Sequence, residues 1–219
     1  MNFLDTILNM IFPVNCISCG KKDSDLCMKC LLNSPSAERE TANWIFSLFD
    51  YRHIPIKKSI WLLKYKNKQK LANIFAEIMY GKIIEELAEL SIINNFYKPI
   101  LIPIPLSKER YKERGYNQAE LICEELIKID KNNNSNNFKL ENKILLKIKE
   151  TEHQAKIKDR GKRLKNLVNS FGVINGELIK GKNIILVDDV LTTGATLNEA
   201  KKILKQFGAK KIIAFTVAH

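Results

Sequence analysis

Ile184-Ile185-Leu186-Val187-Asp188-Asp189-Val190-Leu191-Thr192-Thr193-Gly194-Ala195-Thr196 is the stretch whose reading decides the fold. Four aliphatic residues in a row predict a strand covered on both faces, as in a parallel sheet. The acidic pair then falls at the strand's carboxyl end, where open α/β sheets bind their ligands. Two adjacent carboxylates suit two vicinal hydroxyls of a sugar. The turn from Thr192 to Thr196 offers three hydroxyls, backbone N–H groups and the positive end of the next helix, all suited to a phosphate. Gly194 allows a backbone geometry that a Cβ would oppose. A helix cap needs only one Asp or Thr, whereas two carboxylates and three threonines are grouped here. The stretch is neither a Walker loop nor a Gly-x-Gly-x-x-Gly dinucleotide fingerprint.

Strands and helices alternate on both sides of this segment. Trp44 to Tyr51 predicts a strand, and Pro55 opens a helix running through Lys64. A long helix is predicted over Leu71 to Leu90, a short buried strand over Pro99 to Pro105, and an amphipathic helix from near Asn117 to about Ile129. Ile144 to Ile148 reads as a strand and Phe171 to Ile174 as a strand edge. Ala195 to Phe207 is a helix ended by Gly208, and Lys211 to Val217 is the last strand. The alternation implies an α/β fold with a parallel sheet flanked by helices. Residues 131–139 are Asn-rich and read as a surface loop.

Cys16-x2-Cys19-x7-Cys27-x2-Cys30 is a pair of Cys-x-x-Cys knuckles, a spacing that suits tetrahedral structural Zn²⁺. Disulfides are the alternative, disfavoured in a reducing compartment. Residues 1–34 are expected to form an N-terminal helix and a four-cysteine zinc-knuckle module, and residues 42–219 the larger α/β domain. Met1 to Phe12 has the spacing of a short amphipathic helix and lacks the basic start of a signal peptide. No apolar run is long enough for a membrane span, so a cytoplasmic location is expected. Cys123 lies in a helical pattern and reads as a small buried hydrophobe.

The 219 residues are 45% hydrophobic and 27% charged, a globular balance, and carry a formal charge of +12. That charge permits a polyanionic partner but also follows from Lys-rich composition. Lys57, Lys58, Lys64, Lys66, Lys68 and Lys70 form a run with Trp61 and Tyr65 interleaved. One reading is a single-stranded nucleic-acid face, with bases stacked on aromatics and ammonium groups on phosphates. The other turns the aromatics to the core and the lysines to water.

The acidic pair and threonine turn resemble the phosphoribosyl-pyrophosphate (PRPP) motif of type I phosphoribosyltransferases. The resemblance widens with the twin Cys-x-x-Cys, Lys64-Tyr65, Pro103-Ile104-Pro105, Arg114-Gly115-Tyr116-Asn117-Gln118-Ala119-Glu120-Leu121, and Gln154 with Arg160, Arg163 and Asn166. In this order the motifs resemble the ComF (ComFC) family of competence proteins over nearly the whole chain. The resemblance implies a type I phosphoribosyltransferase-like fold used in natural transformation and DNA uptake, acting on single-stranded DNA alongside a DNA helicase and recombination proteins. It implies PRPP binding by Asp188, Asp189, Val190, Leu191, Thr192, Thr193, Gly194, Ala195 and Thr196, with Mg²⁺ bridging pyrophosphate and ribose oxygens. Pyrophosphate is expected near Lys108, Arg110 and Arg114, and Lys149 to Arg163, with Arg160 and Arg163, occupies the place of a mobile loop. Single-stranded DNA is expected on Lys57, Lys58, Lys64, Tyr65, Lys66, Lys68 and Lys70. Purine-type transferases carry an Asp where this chain has Thr192, which disfavours a purine-type acceptor. A catalytically active phosphoribosyltransferase of unknown acceptor and a PRPP-sensing regulator stay open as alternatives.

Overall fold

The computed structural model describes residues 14–38, 42–148 and 170–219. The helix expected over Met1 to Phe12, and Gln154, Arg160, Arg163 and Asn166, lie outside the described residues. Among those described, β1 (Ile45–Phe49), β2 (Ile100–Pro103), β3 (Lys139–Leu140), β6 (Asn183–Val190) and β7 (Lys211–Ala218) form one sheet in the order β1-β7-β6-β2-β3. Every pairing in it is parallel. The parallel sheet flanked by helices, expected from the alternation of patterns, is the fold.

Central position explains why β6 reads as an unbroken apolar run. Its two neighbours, β2 and β7, match it residue for residue, Leu101 to Ile185 and Ile185 to Ile213. Successive strand side chains point to opposite faces, so each face carries alternate residues. Ile185, Val187, Ile213 and Phe215 join one core with α2 (Ile54–Tyr65), α3 (Lys70–Asn94) and α5 (Gln118–Asn132). Ile184, Leu186, Ile212 and Ala214 join the other with α6 (Ala195–Gln206). Each buried aliphatic side chain contributes about 1.5–3 kcal/mol. A one-residue slip of β6 would exchange its two faces, which pins the register and with it the acidic pair.

Two elements add to the sequence reading. The basic stretch after Pro105 is a short helix, α4 (Lys108–Arg114), because Ser107 accepts from the Arg110 N–H at 3.4 Å and Gly115 closes it at φ +79. The strand read at Ile144 to Ile148 is β4 (Leu145–Lys147), which stands outside the main sheet and pairs antiparallel with β5 (Phe171–Val173). Leu145 is buried while Leu146 is exposed, and a strand covered on one face suits an antiparallel ribbon.

Asn117 links the motif Arg114 to Leu121 to the sheet. Its Oδ1 accepts from the Ala119 N–H at 3.1 Å, capping α5, while its Nδ2 donates to the Ile104 carbonyl at 3.0 Å. The side chain is buried, so one amide fixes both the helix start and the chain leaving β2. Ahead of the sheet, α1 (Met28–Leu32) starts after Cys27 and carries the last knuckle cysteine, Cys30, and fully buried Leu26 and Leu31 seat this module in the core that holds α3. No helix among the described residues is long and apolar enough to cross a membrane.

Candidate functional site

Asp188 and Asp189 end β6 on opposite faces of the sheet, since Asp188 continues the row of Ile184 and Leu186, and Asp189 that of Ile185 and Val187. Both nevertheless line one cavity of about 340 Å³ at the carboxyl end of the strands. Each face supplies its own cation. From α2, the Lys64 ammonium contacts Asp189 at 2.8 Å. From β4, Lys147 lies close enough to Asp188 for the two charges to stabilise one another.

Asp189 is buried and Asp188 half-buried beside it. Burial pushes the Asp188 carboxyl up to about 7, and the neighbouring Asp189 adds to the rise. The Asp189 N–H, donating to Asp188 Oδ1 at 2.8 Å, opposes it, as do Lys64 and Lys147. Burial brings the Lys147 amine down to about 8, helped by the Arg110 charge and opposed by Asp188. Two carboxylates facing Lys64, Lys147, Arg110 and Arg114 leave the cavity wall net positive, which suits an anionic ligand that also offers hydroxyls.

Thr192, Gly194 and Thr196 line the same cavity, as do Val190 and Leu191. Gly194 sits at φ +72, the left-handed conformation that opens α6 and aims its first turn at the cavity. The N–H groups of a helix's first turn lack intrahelical acceptors, and this turn presents them beside the acidic pair. The Thr193 hydroxyl accepts from the Ala195 N–H at 3.4 Å, so Thr193 and Ala195 shape the turn without lining the cavity.

The remaining candidates divide. Arg110 and Arg114 line the cavity, whereas Lys108 is exposed and does not. Lys64 and Tyr65, read with the basic run, line it too, together with Trp61. Lys68 is held by Asp25 at 3.1 Å, and Lys57, Lys58, Lys66 and Lys70 are exposed. Lys147 was not singled out by the sequence: it stands alone in an apolar strand, outside any motif. Its one signal is the break in the run Ile144-Leu145-Leu146-Lys147-Ile148.

The four knuckle cysteines converge, with Sγ atoms all within 4.8 Å of one another. Cys19 and Cys27 sulfurs are 3.7 Å apart, against about 3.8 Å for the edge of a tetrahedron with Zn–S bonds of about 2.3 Å. The Cys27 N–H donates to Cys16 Sγ at 3.4 Å. Burial pushes the Cys16 thiol up, but N–H groups of Cys19, Cys27 and Ser18 outweigh it and bring it to about 6, favouring the thiolate that metals bind. The donor set suits a metal such as zinc.

A testable consequence follows from the crowded acidic pair. A carboxyl whose pKa is higher folded than unfolded costs stability as pH rises past the unfolded value, and in full above about 7. Asp188→Asn removes the charge and keeps the acceptor for the Asp189 N–H. Its Tm at pH 8 should exceed the parent's by at least about 2 °C, since 1 kcal/mol shifts a chain of this size by about 2–4 °C. The gap should shrink toward pH 4, as thermal melts across pH will show; an equal or lower Tm at pH 8 would contradict the account.

Comparison with known proteins agrees with this architecture. Residues 128–219 match the phosphoribosyl transferase domain family. Competence protein F of Haemophilus influenzae is 28% identical over 209 residues, covering 91% of this chain and 83% of that protein. Competence protein ComFC of Bacillus subtilis is 40% identical over 119 residues, covering 54% of this chain and 43% of that protein. DNA utilization protein YhgH of Escherichia coli O157:H7 is 26% identical over 187 residues, 85% of this chain and 74% of that protein. The acidic pair and threonine turn lie inside the phosphoribosyl transferase match, and over most of its length the chain is similar to the ComFC competence proteins.

Proposed function

We propose that this chain acts in natural transformation, in the cytosol, binding PRPP in the cavity and single-stranded DNA on its basic surface. The competence and DNA utilization proteins among its relatives support the role. One observation carries the PRPP reading: both carboxylates, the threonine turn and four cations line a single cavity. Asp188 and Asp189 accept from the ribose hydroxyls, and the N–H groups of Thr192 to Thr196 receive the 5′-phosphate. Arg110, Arg114 and Lys147 face the pyrophosphate. Mg²⁺, held by ligand oxygens and water, neutralises charge on the diphosphate when bound. The exposed Lys57, Lys58, Lys66 and Lys70 are the residues left for the strand, since Lys64 and Lys68 are engaged with Asp189 and Asp25.

The cationic wall favours a second reading, a transferase that displaces pyrophosphate from the sugar carbon. That displacement needs mainly charge stabilisation, which Arg110, Arg114, Lys64 and Lys147 supply. Pyrophosphate release in the presence of a nitrogenous base separates this reading from ligand binding alone.

The cysteine cluster holds one structural Zn²⁺ that seats the module against α3. Elemental analysis should find about one Zn per chain, and stripping the metal with a chelator should lower the Tm. A protein purified without metal that melts at the same temperature would refute the assignment.

Melting with PRPP and Mg²⁺, repeated with a single-stranded oligonucleotide, tests the main proposal. At 100 times its Kd a ligand stabilises by about 2.7 kcal/mol, or about 5–10 °C here. Asp188→Asn with Asp189→Asn should abolish the PRPP shift and leave the salt-sensitive oligonucleotide effect. Absence of any PRPP shift in the parent would overturn the pocket assignment.

A further inference from the structure

The parallel strands have a second end, opposite the acidic pair, and the side chains gathered there take no part in the cavity. α3 finishes at Asn94, and a short connection leads into β2. Leu87 and Leu90 still pack on the core, but Ile92 is 85%, Ile93 77% and Tyr97 57% exposed. The two isoleucines are the most exposed large apolar side chains among the described residues. A lone exposed apolar residue needs no account, whereas several in one short connection form a patch that marks an interaction site.

The patch is held firmly. Asn183 Nδ2, at the start of β6, donates to the Asn95 and Tyr97 carbonyls at 3.3 and 3.2 Å. The Lys211 ammonium, at the start of β7, donates to the Asn94 carbonyl and to Asn94 Oδ1. The connection that bears the apolar side chains is thus tied to two strands of the sheet. A preformed surface of this kind loses little freedom when a partner seats on it.

Lysines surround the patch. Lys98 follows Tyr97, Lys182 precedes Asn183, and Lys210 precedes Lys211. The Lys210 N–H donates to the Lys182 carbonyl at 2.8 Å, and the Lys205 ammonium to the Lys210 carbonyl, which gathers these loops into one rim. Among the described residues the acid-paired lysines are others: Lys64, Lys68, Lys82, Lys128 and Lys139. The rim lysines stand together with no ion-paired carboxylate among them, a self-repulsion that costs stability in the unbound chain. An acidic partner relieves it.

Charge and side-chain type select the occupant. A second copy of the chain would set one lysine rim against another, and like charges across an interface oppose association. A nucleic-acid strand matches the charge but also stacks its bases on aromatic faces, which Ile92 and Ile93 do not offer. A lipid surface is engaged by a longer apolar face, as along an amphipathic helix, than this connection supplies. A polypeptide with carboxylates beside aliphatic side chains matches both parts, the apolar centre and the charged rim.

We propose that this face, with Ile92, Ile93 and Tyr97 at its centre and Lys98, Lys182 and Lys210 on its rim, docks an acidic segment of a partner protein that carries exposed aliphatic side chains. The apolar centre holds the segment, and the rim steers it into place. None of these residues lines the cavity, so the docking does not depend on what the cavity binds.

Photo-crosslinking tests the proposal, with Ile93→p-benzoylphenylalanine in the full chain irradiated in its native cells and the same substitution at exposed Lys112, on α4, as the control. The Ile93 probe should give a polypeptide adduct that the Lys112 probe does not. Mass spectrometry should place the crosslink in a segment richer in Asp and Glu than in Lys and Arg, with aliphatic residues among them. A synthetic peptide of that segment should bind the purified zinc-loaded chain, more weakly as salt rises. Ile92→Ser with Ile93→Ser should weaken the peptide at least about tenfold, as loss of two buried isoleucines implies. Lys182→Glu with Lys210→Glu should weaken it several-fold and flatten the salt dependence. Both pairs are surface changes, except that the lysine pair relieves repulsion, so neither melting temperature should fall. A crosslink to nucleic acid, to lipid or to another copy of the chain would overturn the proposal. So would a basic or purely polar segment, no adduct beyond the Lys112 control, or a peptide whose binding ignores both pairs of substitutions.

Discussion

Two neighbouring carboxylates near the end of one strand, one buried and one half-buried, must be held side by side, and the rest of the site is arranged around that constraint. The two-residue period of β6 sends Asp188 and Asp189 to opposite faces of the sheet. A cation is needed on each face, and Lys64 and Lys147 come from elements far apart in sequence. Burial still raises the Asp188 carboxyl to about 7, so the pairing offsets the desolvation only in part. A crowded carboxylate pair of this kind is characteristic of ligand sites, where stability is given up for recognition.

Lys64 and Lys68 place α2 and the turn after it at the junction of the whole molecule. Lys64 grips Asp189 in the cavity, and Lys68 grips Asp25, which lies between the second and third knuckle cysteines. The cysteine module is thereby tied to the wall of the cavity through one short basic segment. Opposite it, α4 and the Asn117 cap carry Arg110 and Arg114 to the cavity, with the Ile104 carbonyl as the fixed point. Fold and site share these contacts.

Much of this was legible in the sequence because it rests on local patterns. The apolar run Ile184 to Val187 reports burial on both faces, and the acidic pair and Gly194 follow directly from chain order. The cysteine spacing likewise announces a compact four-sulfur cluster. What stayed hidden depends on side chains meeting across the fold. Nothing local marks Lys147 as the partner of Asp188, because its strand is short and its neighbours are apolar. The basic run looked uniform, yet contact with Asp189 and Asp25 sets Lys64 and Lys68 apart from Lys57, Lys58, Lys66 and Lys70. Trp61 and Tyr65 had two readings, core or open surface. The structure instead makes them cavity wall, an outcome that needs α2 and β6 placed side by side. Helix α4 was missed because its cap, Ser107, follows a proline-rich turn and its seven residues bury no apolar face.

The central claim is that one cavity holds a phosphorylated pentose by its two ends. A crystal structure of the full chain with PRPP and Mg²⁺ tests it most directly. The account predicts ribose hydroxyls within about 2.5–3.2 Å of the Asp188 and Asp189 carboxylates, and the 5′-phosphate on the N–H groups between Thr192 and Thr196. Density for the sugar outside this cavity, or a phosphate bound away from the threonine turn, would contradict it.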